Sequence, residues 1–383
     1  MDIVAHIAIA NFYREGMGYQ ENILPIKHKE IGCEAVMISC NQNEGKRQVE
    51  SYTNIEGLKV YLLPKKKNLL MRIPVVNCMV NKISGLQTVL EEVQPTIIFM
   101  HGLQAVDNLD VINYIKNHPL VTLYVDQHAD FYNTPIKTLK QYITQKIIYK
   151  QVANKLLPYV KKFWGVTPWR VDYLRQVYNL PIEKTDLLVM GGDENLIDWN
   201  NREKIRSDIR KTLGIPEDAF VLITGGKLGK AKNLHILLEA LRRRGNKNSF
   251  LIVFGKFEEE EYHLCEPYID DHVKLLGWID SRGVYPYFLS ADVSVFPGTH
   301  SVLWEQSCAA GLPGIFKDWN GGFNHVDVGG NALLIKDITV DSISNAIEKV
   351  MNRTFYQGMK EVAENKGRTV FSYKQIAKRS IER

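Results

Sequence analysis

Basic residues and glycines cluster directly after an apolar run in the second half of the sequence. Ala219–Thr224 is followed by three glycines and three lysines between Gly225 and Lys232. Lysine binds phosphate as a point charge, and glycine lets a backbone approach a ligand closely. The segment lacks the GxxxxGK[ST] pattern of a P-loop. We therefore predict an anion site in this loop, with a solvated basic turn as the alternative.

A second polar group follows the apolar run that ends at Phe296. Ser301 is a preferred N-cap type, so a helix is predicted to begin there or at His300. The free N–H groups at Ser301 and Val302 are then predicted to bind a second phosphate group. Glu305 lies one turn further along the same helix face, which suits two hydrogen bonds to a ribose diol. The alternative is a glutamate that caps the helix or pairs with a lysine.

Two weaker candidates lie in the first half of the chain. Gly16 and Gly18 precede a helical segment, and a glycine-rich loop at a helix N-terminus can bind phosphate. They do not form the GxGxxG fingerprint, and a loop in which glycine relieves backbone strain is the alternative. His128 lies between two aspartates after an apolar run, a position that favours polar chemistry, with a surface histidine as the alternative. His101 has the same ambiguity.

The elements that must position these residues follow from the hydrophobic pattern. Short β-branched runs alternate with amphipathic segments in the first half, and the pattern restarts at Ala219. Runs such as Thr96–Met100 are apolar throughout, which is typical of a parallel sheet covered on both faces. This alternation predicts an α/β fold with two Rossmann-like domains facing a central cleft. Ligands bind beyond the carboxyl ends of such strands, where all four candidate groups lie.

The boundaries of the domains follow from composition. The Gly-, Asp- and Asn-rich segment Met190–Lys204 is predicted to join them, which places the first domain at residues 1–195 and the second at 196–370. A basic helical segment closes the chain, and residues 371–383 are predicted to pack back on the first domain. The predicted strands are Ile3–Ala10, Ala35–Ser39, Leu58–Leu63, Thr96–Met100, Val121–Val125, Ala219–Thr224, Phe250–Phe254, Val273–Leu276 and Val293–Phe296. The predicted helices include Glu21–Ile31, Cys78–Val93, Asp107–Asn117 and Asn233–Arg243.

Composition excludes several classes of protein. With 383 residues, 45% hydrophobic and 24% charged, the chain is not a disordered, collagen-like or coiled-coil protein throughout. No apolar run approaches the ~18 residues of a transmembrane helix. The N-terminus has an acid at its second position and is predicted to be a strand rather than a signal peptide. The five cysteines form no CxxC pair, which indicates free thiols and a cytoplasmic location.

The net charge of +5 lies entirely in the first half of the chain. Residues 1–190 contain 22 Lys and Arg against 17 Asp and Glu, whereas residues 191–383 contain 26 of each. Residues 57–90 and 131–171 contain no acid, and their lysines alternate with aromatic and aliphatic residues. This pattern predicts contact with an anionic membrane surface, on the inner face of the plasma membrane, with a lysine-coated helix as the alternative. No nucleic-acid partner is predicted because no nucleic-acid-binding motif is present.

The chain resembles GT-B-fold glycosyltransferases of family 4 over essentially its whole length. Several of the candidate residues described above belong to the motifs that carry this resemblance. Gly226-Lys227-Leu228, with Lys232 and Asn233 after it, resembles the family's G-R-L-x-x-x-K-G motif. Residues 305–313 resemble its E-A-x-A-x-G-x-P helix. The segments 16–21 and 31–36 resemble its opening glycine loop and first helix turn, and 164–168 and 190–193 resemble its crossover segments.

The resemblance implies a retaining hexosyltransferase that uses a nucleotide-sugar donor and needs no cofactor or metal. Lys227 and Lys232 stand at the positions that bind the donor diphosphate, and Glu305 at the position that binds its ribose. Gly16 and Gly18 belong to the same donor site. The donor is expected to be a UDP-sugar, with GDP as the alternative, bound by the second domain. The acceptor is expected to be a glycan or lipid-linked molecule in cell-surface polysaccharide biosynthesis.

One departure from the family concerns the reacting sugar. The family carries two glutamates spaced as E-x7-E, and Pro297 stands where the first of them belongs. His128 matches the family's histidine near the reacting carbon and is the first catalytic candidate, with His300 as the second. The alternatives to transfer are a nucleotide-sugar epimerase and a homologue that binds nucleotide sugar without catalysis.

Overall fold

The computed structural model describes residues 1–10, 13–41, 48–66, 83–245 and 248–382. The chain divides into two compact units, the first formed by Met1–Val189 with Ala377–Arg383 and the second by Met190–Ile376. The sequence had placed this boundary after residue 195 and the returning segment from residue 371. Within the described part of the chain, no helix is both long enough and apolar enough to cross a membrane.

The first unit is built on an eight-stranded sheet. Its strands are β1 (Ile3–Ala8), β2 (Glu34–Cys40), β3 (Glu50–Thr53), β4 (Lys59–Leu63), β5 (Ile97–His101), β6 (Thr122–Gln127), β7 (Val160–Gly165) and β8 (Thr185–Leu187). They lie in the order β3-β4-β2-β1-β5-β6-β7-β8. All neighbours run parallel except β3, which is antiparallel to β4. The central strands β1, β5 and β6 are buried almost throughout, as their apolar runs predicted.

Helices connect these strands. They are α1 (Gln20–Glu30), α2 (Leu86–Val93), α3 (Val111–Asn117), α4 (Leu139–Tyr142), α5 (Lys150–Leu156) and α6 (Pro168–Gln176), with a π-helix (Ile143–Tyr149) between α4 and α5. The C-terminal residues are bound to this unit by two aromatic side chains. Trp164 Nε1 donates to the Ser380 carbonyl at 3.0 Å, and the Tyr124 hydroxyl donates to the Glu382 carbonyl at 2.8 Å. These bonds explain why the last residues of the chain belong to the first unit.

The second unit has a six-stranded parallel sheet. Its strands are β9 (Phe220–Leu228), β10 (Ser249–Phe257), β11 (Val273–Leu275), β12 (Val293–Phe296), β13 (Gly314–Lys317) and β14 (Ala332–Ile335). They lie in the order β11-β10-β9-β12-β13-β14. The helices are α7 (Arg202–Leu213), α8 (Leu234–Arg244), α9 (Glu259–Cys265), α10 (Tyr285–Ser290), α11 (Leu303–Ala309), α12 (Val340–Met351), α13 (Arg353–Val362), α14 (Arg368–Val370) and α15 (Tyr373–Ser380), with a π-helix at Ala363–Gly367.

A buried ion pair fixes the start of β12, the strand that leads to the candidate site. The Asp292 carboxylate accepts from Arg210 Nη2 at 2.8 Å, from Arg206 Nη2 at 2.7 Å and from the Val221 N–H at 2.7 Å. Arg210 is fully buried. Because a buried guanidinium without a partner is costly, this contact holds the beginnings of β9 and β12 together.

The predicted α/β fold with two parallel sheets is confirmed, and the differences lie at element ends and in five strands that were not predicted. The helix predicted at Cys78–Val93 is described only from residue 83 onwards, and there it begins at Leu86. The helix predicted to begin at His300 or Ser301 begins instead at Leu303. The unpredicted strands are β3, β7, β8, β13 and β14. Of these, β3 is a short edge strand whose residues are mostly exposed and carry no apolar alternation.

Candidate functional site

A buried glutamate in the first turn of α11 is the centre of the site in the second unit. Glu305 is fully buried, and its Oε1 accepts from His300 Nε2 and from His325 Nε2, both at 2.8 Å. Its Oε2 is also buried, and within the described residues it has no hydrogen-bond partner. Almost all buried polar atoms have partners, so this oxygen is free to accept a hydrogen bond from a ligand or a water molecule.

The two histidines determine the charge of this glutamate. Burial disfavours its ionised form, but the contacts from His300 and His325 outweigh burial and hold the pKa of Glu305 well below its usual range. Glu305 is therefore a carboxylate at neutral pH. An anion in this position can accept hydrogen bonds from the hydroxyl groups of a ligand.

Aromatic packing holds His300 in place. Its ring stacks on Phe323 with 4.3 Å between centroids and lies edge-on to Trp304 at 5.1 Å. His325 lies in the short 3-10 turn Asn324–Val326. The sequence pointed to His300 by its closeness to Glu305, but it gave no signal for His325, which no motif contains.

The predicted N-cap at Ser301 is wrong. Helix α11 is capped by Val302, which makes no side-chain cap hydrogen bond, and the helix is seven residues long. The Ser301 hydroxyl is buried and has no partner within the described residues. Binding of phosphate by Ser301 and Val302 remains a prediction, but it cannot rest on an N-cap at Ser301.

Lys232 is hydrogen-bonded to the loop that leads into α11, the helix that carries Glu305. Its Nζ donates to the Thr299 carbonyl at 2.5 Å, and the Thr299 N–H donates to the Ala231 carbonyl at 3.0 Å. Gly298 permits this close packing, because a Cβ there would lie 2.3 Å from the Lys232 Cα. Thr299 directly precedes His300, the partner of Glu305. The lysine loop after β9 and the histidine loop after β12 thus form one structure.

The two predicted diphosphate lysines differ in environment. Burial lowers the pKa of Lys232 to about 8, so its side chain loses the ammonium charge as the pH rises through that value. Lys227, at the end of β9, is exposed and pairs with Glu258 at 3.0 Å. The structure therefore bonds Lys232 to Thr299, the residue before His300, and it leaves Lys227 on the surface.

The group of His300, Glu305 and His325 is also the one set of potential metal ligands found in the described residues, with its ligand atoms within 4.8 Å of one another. Two histidines and a glutamate form a known zinc ligand set. However, ligand atoms around a tetrahedral zinc lie about 3.3 Å apart, given Zn–N bonds of about 2.0 Å. The two 2.8 Å separations are those of N–H···O hydrogen bonds. The geometry thus fits a hydrogen-bonded carboxylate, and metal independence remains a prediction.

His128, in the first unit, follows β6 and lies beside a buried aspartate. Its Nε2 is 3.3 Å from Asp126 Oδ1 but is not aligned for a hydrogen bond. Asp126 accepts from His101 Nδ1 at 2.7 Å and from the Gly102 N–H at 3.0 Å. Burial opposes its ionisation, yet His101 and His128 hold the pKa of the Asp126 carboxyl below its usual range. His128 thus lies next to a fixed negative charge.

The predicted glycine loop precedes α1. Gly16 lies in a turn with φ of +77°, a conformation that favours glycine. Gly18 follows it, and α1 begins at Gln20 after an N-cap, Tyr19, that makes no side-chain cap bond. Both amide atoms of the buried Gln20 side chain have no partner in the described part of the chain. This residue, which the sequence did not single out, is a further candidate for ligand contact.

The geometry of the second unit agrees with the family comparison. The sequence profile described as "Glycosyl transferases group 1" matches residues 205–369. A solved structure similar to this chain is that of HepE from Anabaena in complex with UDP, with a TM-score of 0.68 at 16% identity. The superposition covers 99% of this chain and 98% of HepE. At this identity the likeness concerns the fold.

Two curated relatives match part of the chain. An uncharacterised glycosyltransferase of Methanocaldococcus jannaschii is 22% identical over 216 residues, which cover 54% of this chain and 55% of that protein. The lipopolysaccharide core biosynthesis glycosyltransferase LpsE of Rhizobium meliloti is 25% identical over 223 residues, or 52% and 63%. The chain therefore matches little more than half the length of these relatives. The resemblance to GT-B glycosyltransferases is confirmed: residues 205–369 match the glycosyl transferases group 1 family, and the chain has the fold of GT-B glycosyltransferase structures.

Proposed function

We propose that the protein transfers a hexosyl group from a UDP-sugar to a glycan or lipid-linked acceptor in cell-surface polysaccharide biosynthesis. The observation that carries the proposal is the junction of Lys232 with the loop of Glu305, which joins a cation and a buried, ionised carboxylate in a group 1 domain. HepE, of similar fold, was solved with UDP, and LpsE is named for lipopolysaccharide core synthesis. These two proteins support the choice of donor and pathway.

We propose that the donor binds to the lysines through its diphosphate and to Glu305 through its ribose. Lys232, assisted by the exposed Lys227, neutralises the diphosphate, and Glu305 Oε2 accepts from the ribose hydroxyls. Because Oε2 is buried, a ribose reaches it only after the side chains that cover it move.

The proposed reaction needs no metal, because lysine ammonium groups stabilise the leaving diphosphate. The bond from the anomeric carbon to the diphosphate oxygen breaks, and a bond to the acceptor oxygen forms on the same face of the sugar. The acceptor proton passes to the departing phosphate oxygen. His128, beside the Asp126 carboxylate, is proposed to stabilise the positive charge that develops on the sugar through its polarised ring, in place of the glutamate that Pro297 replaces.

The first prediction concerns nucleotide binding. By calorimetry with UDP, GDP, CDP and ADP, we expect UDP to bind and Lys232→Ala and Glu305→Gln each to weaken it by at least about tenfold, since hydrogen bonds to charged groups contribute about 1.5–3 kcal/mol. Lys230→Ala is the matched control, because Lys230 lies in the same loop but is exposed and paired with Glu260. UDP affinity unchanged in both site variants would refute the donor site. UDP binding without turnover of any UDP-sugar would indicate the non-catalytic alternative.

The second prediction concerns pH. Lys232 has a pKa of about 8 in the free protein, and a bound diphosphate favours its charged form. UDP binding must therefore take up a proton above pH 8, and the affinity must fall as pH rises through that value. In Lys232→Arg, whose guanidinium stays charged, this fall should disappear. Calorimetry in buffers of different ionisation enthalpy measures the proton uptake directly, and equal pH profiles for the two proteins would contradict the assignment.

Membrane contact is proposed for a smaller surface than the sequence indicated. Of the aromatic residues in the stretch 131–171, Phe163 and Trp164 are buried in β7. The exposed apolar side chains are instead concentrated at the start of the stretch: Phe131, Tyr132, Leu139, Tyr142 and Ile147. Much of the other stretch, 57–90, falls at 67–82, outside the described residues.

We propose that α4 and the π-helix after it lie on an anionic membrane, such as the inner face of the plasma membrane. Leu139 is 76% exposed and Ile147 42%, and the neighbouring Lys140 and Lys146 are exposed as well. Exposed apolar side chains with flanking lysines are typical of helices that bind at a membrane interface. A lysine near such a surface contributes about 1 kcal/mol.

The third prediction tests this surface. In sedimentation with vesicles containing anionic lipid, we expect Leu139→Glu to reduce vesicle binding by about tenfold, since the burial of a leucine contributes about 1.5–3 kcal/mol. Leu120→Glu is the control, because Leu120 is 95% exposed but belongs to neither acid-free stretch. Equal losses in both variants, or no binding by the unmodified protein at physiological salt, would refute the membrane surface.

A further inference from the structure

A continuous row of buried histidines runs through the first unit. His101 Nε2 lies 3.0 Å from His6 Nδ1, and His6 Nε2 lies 2.9 Å from His28 Nδ1. His28 Nε2 lies 2.9 Å from the Ser380 hydroxyl and 3.1 Å from the Ala377 carbonyl. At its other end the row meets Asp126, which accepts from His101 Nδ1 at 2.7 Å. The three rings and Ser380 are buried.

Four different segments supply this row. His6 lies in β1, His28 in α1 and His101 at the end of β5, while Ser380 ends α15. The ring of His6 stacks between those of His28 and His101, with centroids 5.0 and 5.3 Å apart. No local spacing connects these residues, and the sequence suggested a role only for His101.

The number of protons fixes the direction of every bond. The row has four hydrogen bonds, from Ser380 through three rings to Asp126, and each bond holds one proton. Three neutral imidazoles and one hydroxyl supply four protons. Because an ionised Asp126 can only accept, each ring must carry its proton on Nδ1, and the Ser380 hydroxyl must donate to His28 Nε2. With neutral rings, this is the one arrangement that satisfies all four bonds.

One added proton reverses the bond at the Ser380 end of the row. If the row gains a proton, each ring can still share one proton with the next, and His28 Nε2 then donates to the Ala377 carbonyl or to the Ser380 hydroxyl oxygen. The Ser380 hydroxyl in turn donates to the same carbonyl, 2.8 Å away. The direction in which the Ser380 hydroxyl points therefore reports whether the row is neutral or carries one positive charge.

The surroundings favour the neutral row. Burial lowers the pKa of His28 to about 4 and that of His6 well below its usual range. In the part of the chain that the structure describes, the titratable groups that act on the rings are one another, Asp126 and, beyond it, His128. Two of the charged residues next to members of the row in the sequence form ion pairs with other residues: Lys27 with Glu30, and Arg379 with Asp186.

We infer that His101, His6 and His28 are positioning residues, which keep Asp126 ionised and oriented beside His128 through hydrogen bonds that all point toward the aspartate. When the three rings are neutral, they do not cancel the negative charge of Asp126. That charge then acts fully on His128. The role of His128 in sugar transfer rests on the proposed function, but the state of the row does not.

The experiment is histidine ¹⁵N NMR of the full chain across pH, with Ser380→Ala and Ser380→Thr. In the unmodified protein we expect each ring to carry its proton on Nδ1, and neither His6 nor His28 to titrate above about pH 6, below the ordinary histidine pKa of about 6.5. Among the described residues, the Ser380 hydroxyl is the one donor to His28 Nε2, so in Ser380→Ala the row should take up its extra proton at a higher pH. Ser380→Thr retains the hydroxyl and should match the unmodified protein.

Turnover and UDP affinity complete the test. Because a positive row partly cancels the charge of Asp126, Ser380→Ala should lower turnover several-fold near neutral pH and leave the affinity for UDP unchanged. A ring protonated on Nε2 alone, titration of His6 or His28 above about pH 6 in the unmodified protein, or a Ser380→Ala titration equal to that of the unmodified protein would overturn the inference. If the tautomers are as expected but no UDP-sugar is turned over, the proposed function fails and the row stands.

Discussion

The proposed site depends on a carboxylate that stays charged inside the second unit. Glu305 is fully buried, and two histidine N–H groups on one oxygen keep it ionised. Its other oxygen has no partner in the described residues, and an unpaired buried polar atom raises the free energy of the folded protein. Ligand hydroxyls that reach this oxygen would offset that cost. The position of Lys232, held by the same loop, adds the positive charge that a diphosphate requires.

The first unit also contains a buried carboxylate that histidines keep ionised. Asp126 is buried, and it remains ionised because His101 donates to it and His128 lies beside it. Asp126 lies near the carboxyl end of β6, and Glu305 lies in the helix that follows β12, on the side of the sheet at which α/β proteins bind ligands. In each unit, histidines rather than arginines or lysines hold the acid.

The fold and half of the site follow from local sequence features. Apolar runs identified the central strands, and spacing from a strand end identified Lys232 and Glu305, because each lies within a few residues of the strand that positions it. His325, His6 and His28 could not be predicted in this way, because they meet their partners across distant segments. The helix start at Ser301 was wrong because an N-cap preference is worth only about 1 kcal/mol. The packing of Gly298 and Thr299 against the lysine loop sets the backbone there instead.

The most direct test of the account is a crystal structure with UDP bound. We predict that the ribose hydroxyls lie within hydrogen-bonding distance of Glu305 Oε2 and that the diphosphate contacts Lys232 Nζ. A nucleotide bound elsewhere, with Glu305 Oε2 still buried and unpartnered, would contradict the central claim that this carboxylate is the ribose site.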